Sequence, residues 1–128
     1  MTSVTAVMTA DPDGVELVVL AKDTAQQLVN SRLTRSQIRN IFTEVRKIEA
    51  QWESKPQEAV RRLNMLKPKL DYTVDRSRPV AGLRDVMSEA IDMVNQVPAG
   101  EERDQRFVRF MDLFEAILAY HRALGGRN

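Results

Sequence analysis

The stretch LTRSQIRNIFTEVRKIEAQW, Leu33 to Trp52, carries two different faces on one predicted helix. Thr34 followed three residues later by Gln37 is a capping-box pattern, in which the hydroxyl accepts a free first-turn N–H and the amide side chain reaches back to the cap. A helix therefore starts at Thr34. Ile38, Ile41, Phe42, Val45, Ile48 and Trp52 recur at steps of three and four, which gathers them into one apolar stripe facing a core. Arg35, Arg39 and Arg46 fall together on a flank roughly a quarter turn or slightly more from the centre of that stripe, with no acid among them until Glu53. Such a flank is a candidate surface for something anionic.

Working outward, the same periodicity predicts helices on both sides. A helix over Val15 to Val29 follows the Pro12-Asp13-Gly14 turn, with Asp13 as its N-cap and Leu17, Leu20, Ala21, Thr24 and Leu28 on its apolar side. Pro56 suits the first turn of a third helix, whose stripe is Ala59, Leu63, Leu66 and Leu70. Pro68 lies inside that stripe, removes a backbone donor and crowds the carbonyl four residues back, so a kink or break is expected near Asn64 to Lys67. Lys67 and Lys69 bracket the proline, and a bend there aims both outward. Tyr72 to Pro79 reads as a loop, with Pro79 opening a fourth helix along Leu83, Val86, Met87, Ala90, Ile91, Val94 and Val97. The fifth and longest runs from Glu101 to Leu124, with acids in its first turn, Gly125-Gly126 as its stop, and a side lined by three phenylalanines that makes it the central helix. The fold class is an all-α, single-domain bundle of about five helices over residues 13–128, preceded by a flexible tail over residues 1–12.

Composition narrows the function. The 128-residue chain has no cysteine, which removes disulfides, thiolate metal sites and a cysteine nucleophile together and fits a cytoplasmic protein. His121 is the only histidine, so a zinc site built on several histidines is excluded. Met1 to Ala10 has neither the basic start nor the apolar run of a signal peptide or membrane anchor. The net charge of +1 hides a segregation: Arg32 to Arg78 holds 12 basic against 6 acidic residues, or +6, and the remainder 7 against 12, or −5. A basic middle with acidic flanks can meet a polyanion on one side and basic partners on another.

Several residues invite a chemical reading and a plainer one. His121 sits on an apolar stripe with no second ligand or nucleophile at helical spacing, so packing with one hydrogen bond is expected. Glu115 is expected to ion-pair with a neighbouring helix, and Trp52, able to stack on a base, is placed in the core by its stripe. The best case for an enzyme is Glu89-x-x-Asp92 with Asp112-x-x-Glu115, because carboxylates three apart share a helix face and two such pairs can hold magnesium in an all-α nucleotide pyrophosphohydrolase. No phosphate-clamping lysine or arginine is placed beside them in sequence, and acid pairs at this spacing are common on solvated faces. A DNA-binding regulator with Thr34 to Trp52 in a major groove is the other alternative, since Arg35, Ser36, Gln37 and Arg39 are of base-reading type. Arg46, two turns on, continues their stripe, which suits tracking a backbone better than reading a base edge.

Three strings, in order, carry a family resemblance. Leu33-Thr34-x-Ser36-Gln37-Ile38-Arg39, then Leu66-Lys67-Pro68-Lys69-Leu70-x-Tyr72 with Arg76, then Phe114 to His121 closing on Gly125-Gly126, together resemble the small subunit of type III-A CRISPR effector complexes. Asp75 stands before Arg76 where that family often has glycine. The resemblance implies a non-catalytic protein with no cofactor or metal, present in several copies stacked head to tail beside the backbone subunits. It further implies contact with guide and target RNA in antiviral defence; joined to the basic flank of the second predicted helix and the basic residues around Pro68, this makes Arg35, Arg39, Arg46, Lys67, Lys69 and Arg76 the expected RNA-binding residues. Sequence selection would belong to base pairing, and this subunit would supply phosphate contacts and shape recognition.

Overall fold

The capping box forms as the sequence predicts. Gln37 N–H donates to Thr34 Oγ1 at 3.1 Å and Thr34 N–H donates to Gln37 Oε1 at 2.9 Å, opening helix α3 (Arg35–Gln51). The computed structural model describes residues 3–128 and is all-helical, with no strand among those residues. Around α3 lie α1 (Val4–Thr9), α2 (Val15–Asn30), α4 (Pro56–Arg76), α5 (Ala81–Asn95) and α6 (Glu101–Ala123), with one 3-10 turn at Arg78–Val80 leading into α5. As expected, α6 is central: it packs against α1, α2, α3 and α5. Phe107, Phe110, Met111, Leu113, Phe114, Ile117 and His121 are all buried along it.

Two turns at the same end of the bundle set the position of α3. After α2, Arg32 adopts φ 69°, and the Arg32 and Leu33 N–H groups return to the Val29 and Leu28 carbonyls at 3.0 Å each. That is a Schellman motif with an arginine in the left-handed position that glycine usually takes. After α6, Gly125 at φ 99° makes the same motif, with Gly125 and Gly126 N–H donating to the carbonyls of Arg122 and His121. The two motifs are tied together. His121 Nε2 lies 2.7 Å from the Leu33 carbonyl, and the chain beyond Gly126 offers the Arg127 carbonyl to Arg35 N–H at 2.5 Å. His121 is thus a packing residue with one hydrogen bond, and Gly126 must be glycine because a Cβ there would lie 2.2 Å from the imidazole.

Four features differ from the sequence reading. Residues 4–9 are not a loose tail: Ser3 Oγ caps the Ala6 N–H, and Val4, Val7 and Met8 are buried against the bundle, while Met1 and Thr2 lie outside the described residues. Six residues are too few to hold a helix alone, so packing stabilises it. Asp11, not Asp13, is the main cap of α2, its two carboxylate oxygens accepting Glu16 N–H at 2.9 Å and Leu17 N–H at 2.8 Å. Asp13 adds only a 3.4 Å contact to Val15 N–H. Helix α4 is unbroken through Pro68, whose ring faces solvent, and it continues to Arg76 because buried Val74 extends the stripe of Leu63, Leu66 and Leu70 by one more turn. The expected loop shrinks accordingly to Ser77 and the 3-10 turn.

Asp11 is itself buried, so its bonds to two first-turn N–H groups are not replaced by water when the carboxylate is removed. Asp11→Ala is expected to cost about 1–2 kcal/mol, the upper part of the range for losing an N-cap, read as a lower denaturant midpoint with unchanged slope.

Candidate nucleic-acid interface

Helices α3 and α6 pack antiparallel, and the seam between them opens into a groove of about 370 Å³ near the start of α3. Its floor is Ile38, Phe42, Leu118 and Ala119, and its rim carries Arg35, Arg39 and Arg46 from α3 and Arg122 from α6. Glu115 is the single carboxylate in the lining, so four guanidinium groups face one acid. The flank predicted from one helix is therefore half of a two-helix site. Arg122 was not foreseen; it stands seven residues after Glu115 on the same face of α6, but only the pairing of α6 with α3 brings it to the rim.

The arginines are not equivalent. Arg46 Nη1 donates to Glu49 Oε1 at 2.9 Å and to Glu115 Oε1 at 3.3 Å, and its guanidinium lies 5.4 Å from the centre of the Phe42 ring. The acid-free flank of the sequence reading is corrected by that pairing: Glu49 is one turn away, and Glu115 reaches across from α6 as an ion-pairing residue. Arg39 and Arg122 are exposed and carry no ion pair among the described residues. Arg35 is half-buried, and its Nε is enclosed with no hydrogen-bond partner among the described residues.

Further along the same seam the sign reverses. Glu49, Glu53, Asp112 and Glu115 line a second hollow with Trp52 and Phe107 at its base. Asp112 holds its proton more tightly than an ordinary aspartate, chiefly because of partial burial and then because of the Glu49 charge beside it. Trp52 is core, as its stripe implied. Its ring stacks on Phe107 with centroids 3.8 Å apart, and its Nε1 donates to Asp104 Oδ1 at 2.9 Å.

The remaining predicted cations lie on α4, outside the groove. Lys67 and Lys69 do not point the same way: Lys67 Nζ bonds Asp92 on α5, whereas Lys69 Nζ lies 3.4 Å from Glu44 on α3. An unbroken helix puts residues two apart on opposite flanks, which removes the common aim expected of a bend. Arg76 folds back on its own helix, with Nη1 donating to Tyr72 Oη at 3.0 Å.

The two acid pairs are drawn to different neighbours, Asp92 to Lys67 and Glu115 to Arg46. Cations do stand beside them, contrary to the sequence reading, but each is an ion-pair partner from another helix. No group of three or more histidine, aspartate or glutamate side chains is placed to hold a metal ion among the described residues. For base reading, Gln37 is committed twice, to Thr34 and, through Nε2, to Ser77 Oγ at 2.7 Å. No helix among the described residues is long and apolar enough to cross a membrane.

Comparison with known proteins gives a family. The model of the Csm2 Type III-A family matches residues 11–127, nearly the whole chain. The chain belongs to that family. It is thus the small subunit of a Csm complex, the type III-A CRISPR effector. No curated protein and no solved structure matches it. The family match spans α2 to α6, and so includes both walls of the arginine groove.

Proposed function

We propose that this Csm small subunit is a non-catalytic RNA-contacting component of its complex, in the cytoplasm and in antiviral defence. In this reading several copies stack beside the backbone subunits, and the α3–α6 groove of each lies along the guide-target RNA. The observation that carries the reading is the convergence of Arg35, Arg39, Arg46 and Arg122 on one concavity with a single carboxylate. Cations spaced along a helix neutralise phosphates without reading sequence, which suits a subunit whose target is selected by base pairing. Lys67, Lys69 and Arg76 on α4 lie outside the groove and contribute less, because Asp92 holds Lys67, Glu44 holds Lys69 and Arg76 bonds Tyr72. The acidic hollow at the other end of the seam faces protein.

The test is reconstitution. Co-expressed with the other type III-A effector subunits, the chain should co-purify in more than one copy. Alone, it should bind single-stranded RNA with an affinity that falls steeply with salt, and leave RNA and nucleoside triphosphates intact in magnesium. Stable association with an unrelated partner and none with the effector subunits would sink the reading, as would metal-dependent turnover lost on replacing Asp112 or Glu89.

A further inference from the structure

We infer that the α3–α6 groove seats one unpaired RNA base, with the flanking phosphates on its arginine rim. This rests on the RNA reading above and goes beyond it, since phosphate contact alone needs only exposed cations. Here the space between the guanidinium groups has an apolar floor, Ile38, Phe42, Leu118 and Ala119, which no phosphate would desolvate with profit. At about 370 Å³ the groove is near the small end of ligand sites, which run from roughly 300 to 1,000 Å³, and matches one nucleotide rather than a length of strand.

The walls supply what a base needs. Phe42 is only half-buried; its ring is tilted against Phe114, with centroids 5.3 Å apart, and the Arg46 guanidinium, ion-paired with Glu49 and Glu115 on the exposed rim, lies 5.4 Å from the ring centre. Aromatic faces and guanidinium planes both stack on bases, and such stacking tolerates any sequence. Arg35 lines the groove wall, and its Nε is enclosed with no hydrogen-bond partner among the described residues. An acidic peptide helix is the competing occupant, but it would need apolar anchor sites repeated at three- and four-residue steps along a longer channel. This groove ends at Glu115 on one side, and on the other the C-terminal residues bond to Arg35 through the Arg127 carbonyl.

The experiment compares the full chain's affinity for a short single-stranded oligouridylate, for an abasic oligomer of equal length, and for the duplex form, by fluorescence anisotropy across a salt series. The intact strand should bind about five- to a hundredfold more tightly than the abasic one, the contribution of one stacked base, with the same salt slope for both. The duplex, whose bases are already stacked and paired, should gain no such advantage. Ala119→Leu fills the groove from an exposed helical position without touching the core, and should abolish the difference between intact and abasic strands while leaving salt slope and melting temperature in place. Equal binding of intact and abasic strands with a normal salt slope overturns the base site and leaves the phosphate reading standing. A difference that persists in Ala119→Leu overturns it too, because the base then stacks elsewhere. Loss of binding to an effector subunit in Ala119→Leu, with RNA binding untouched, assigns the groove to protein. Absence of salt-dependent RNA binding by the unmodified chain overturns both readings together.

Discussion

Trp52→Ala is expected to destabilise the fold by about 3–5 kcal/mol, the cost of truncating a large buried aromatic. Three contacts go at once. The parallel stack on Phe107, at 3.8 Å and 2° between planes, leaves a cavity between the end of α3 and the start of α6. The Nε1–Asp104 hydrogen bond is lost, and Arg103, whose guanidinium sits 5.8 Å from the indole centre, loses its aromatic partner. Against a total stability of roughly 5–15 kcal/mol for a domain of this kind, that is a large fraction, and the melting temperature should fall by roughly 10–20 °C. Trp52→Phe separates the terms: it keeps an aromatic face on Phe107 and drops the hydrogen bond, for a cost nearer 1 kcal/mol. Circular dichroism during urea unfolding measures both. A Trp52→Ala protein that unfolds at the unmodified midpoint would mean that the indole is not packed in the core, and would reopen its use as a stacking platform for a base.

What could be read from the sequence was local. The capping box at Thr34 and Gln37, the Gly125-Gly126 stop and the apolar stripe of α3 are each decided within one or two turns, and each stands in the structure as expected. What escaped the reading depends on distance along the chain. Helix α1 has a three-four pattern in Val4, Val7 and Met8, but at six residues it exists only because α2, α5 and α6 cover it. Asp11 caps α2 from five and six residues away, beyond the two- or three-residue offset that marks an N-cap in sequence. The end of α4 is the exception, a local signal: Val74, four residues after Leu70, keeps the helical period through the stretch that Pro79 marks as a loop.

The candidate site shows the same division. Its α3 half was legible because helical periodicity places Arg35, Arg39 and Arg46 on one flank. Its α6 half was not, since Arg122 and Glu115 join it only through antiparallel packing across 69 or more residues of sequence. That packing also changes the weight of each arginine. Arg46 is already held by two carboxylates, so a phosphate must compete with Glu49 and Glu115 for it, whereas Arg39 and Arg122 are available at once.

Replacing Arg39 and Arg122 together with alanine should therefore be the most damaging pair of groove substitutions for RNA binding. Each arginine that neutralises a phosphate releases roughly 0.7 of a counterion from a single strand, so the pair should flatten the salt dependence by about 1.4 units of slope. If the two proteins bind alike near 1 M salt, that slope means a loss of roughly tenfold at 0.15 M and roughly fivefold more at 0.05 M. The loss should be the same for every RNA sequence, because phosphates carry no sequence information. Stability should stay within about 0.5 kcal/mol, since both side chains are exposed and have no ion-pair partner among the described residues. Arg46→Ala alone should cost less through its own charge, but it leaves Glu115 uncompensated in the groove, where the carboxylate repels the strand. Glu115→Gln makes the opposite change: it removes that repulsion, frees Arg46 from one of its partners, and should strengthen binding severalfold at low salt. Anisotropy titrations of the four proteins over a salt series distinguish these effects. Unchanged affinity and slope in the Arg39, Arg122 double variant, with Glu115→Gln also silent, would show that the groove meets no phosphate and that its arginines serve a protein partner instead.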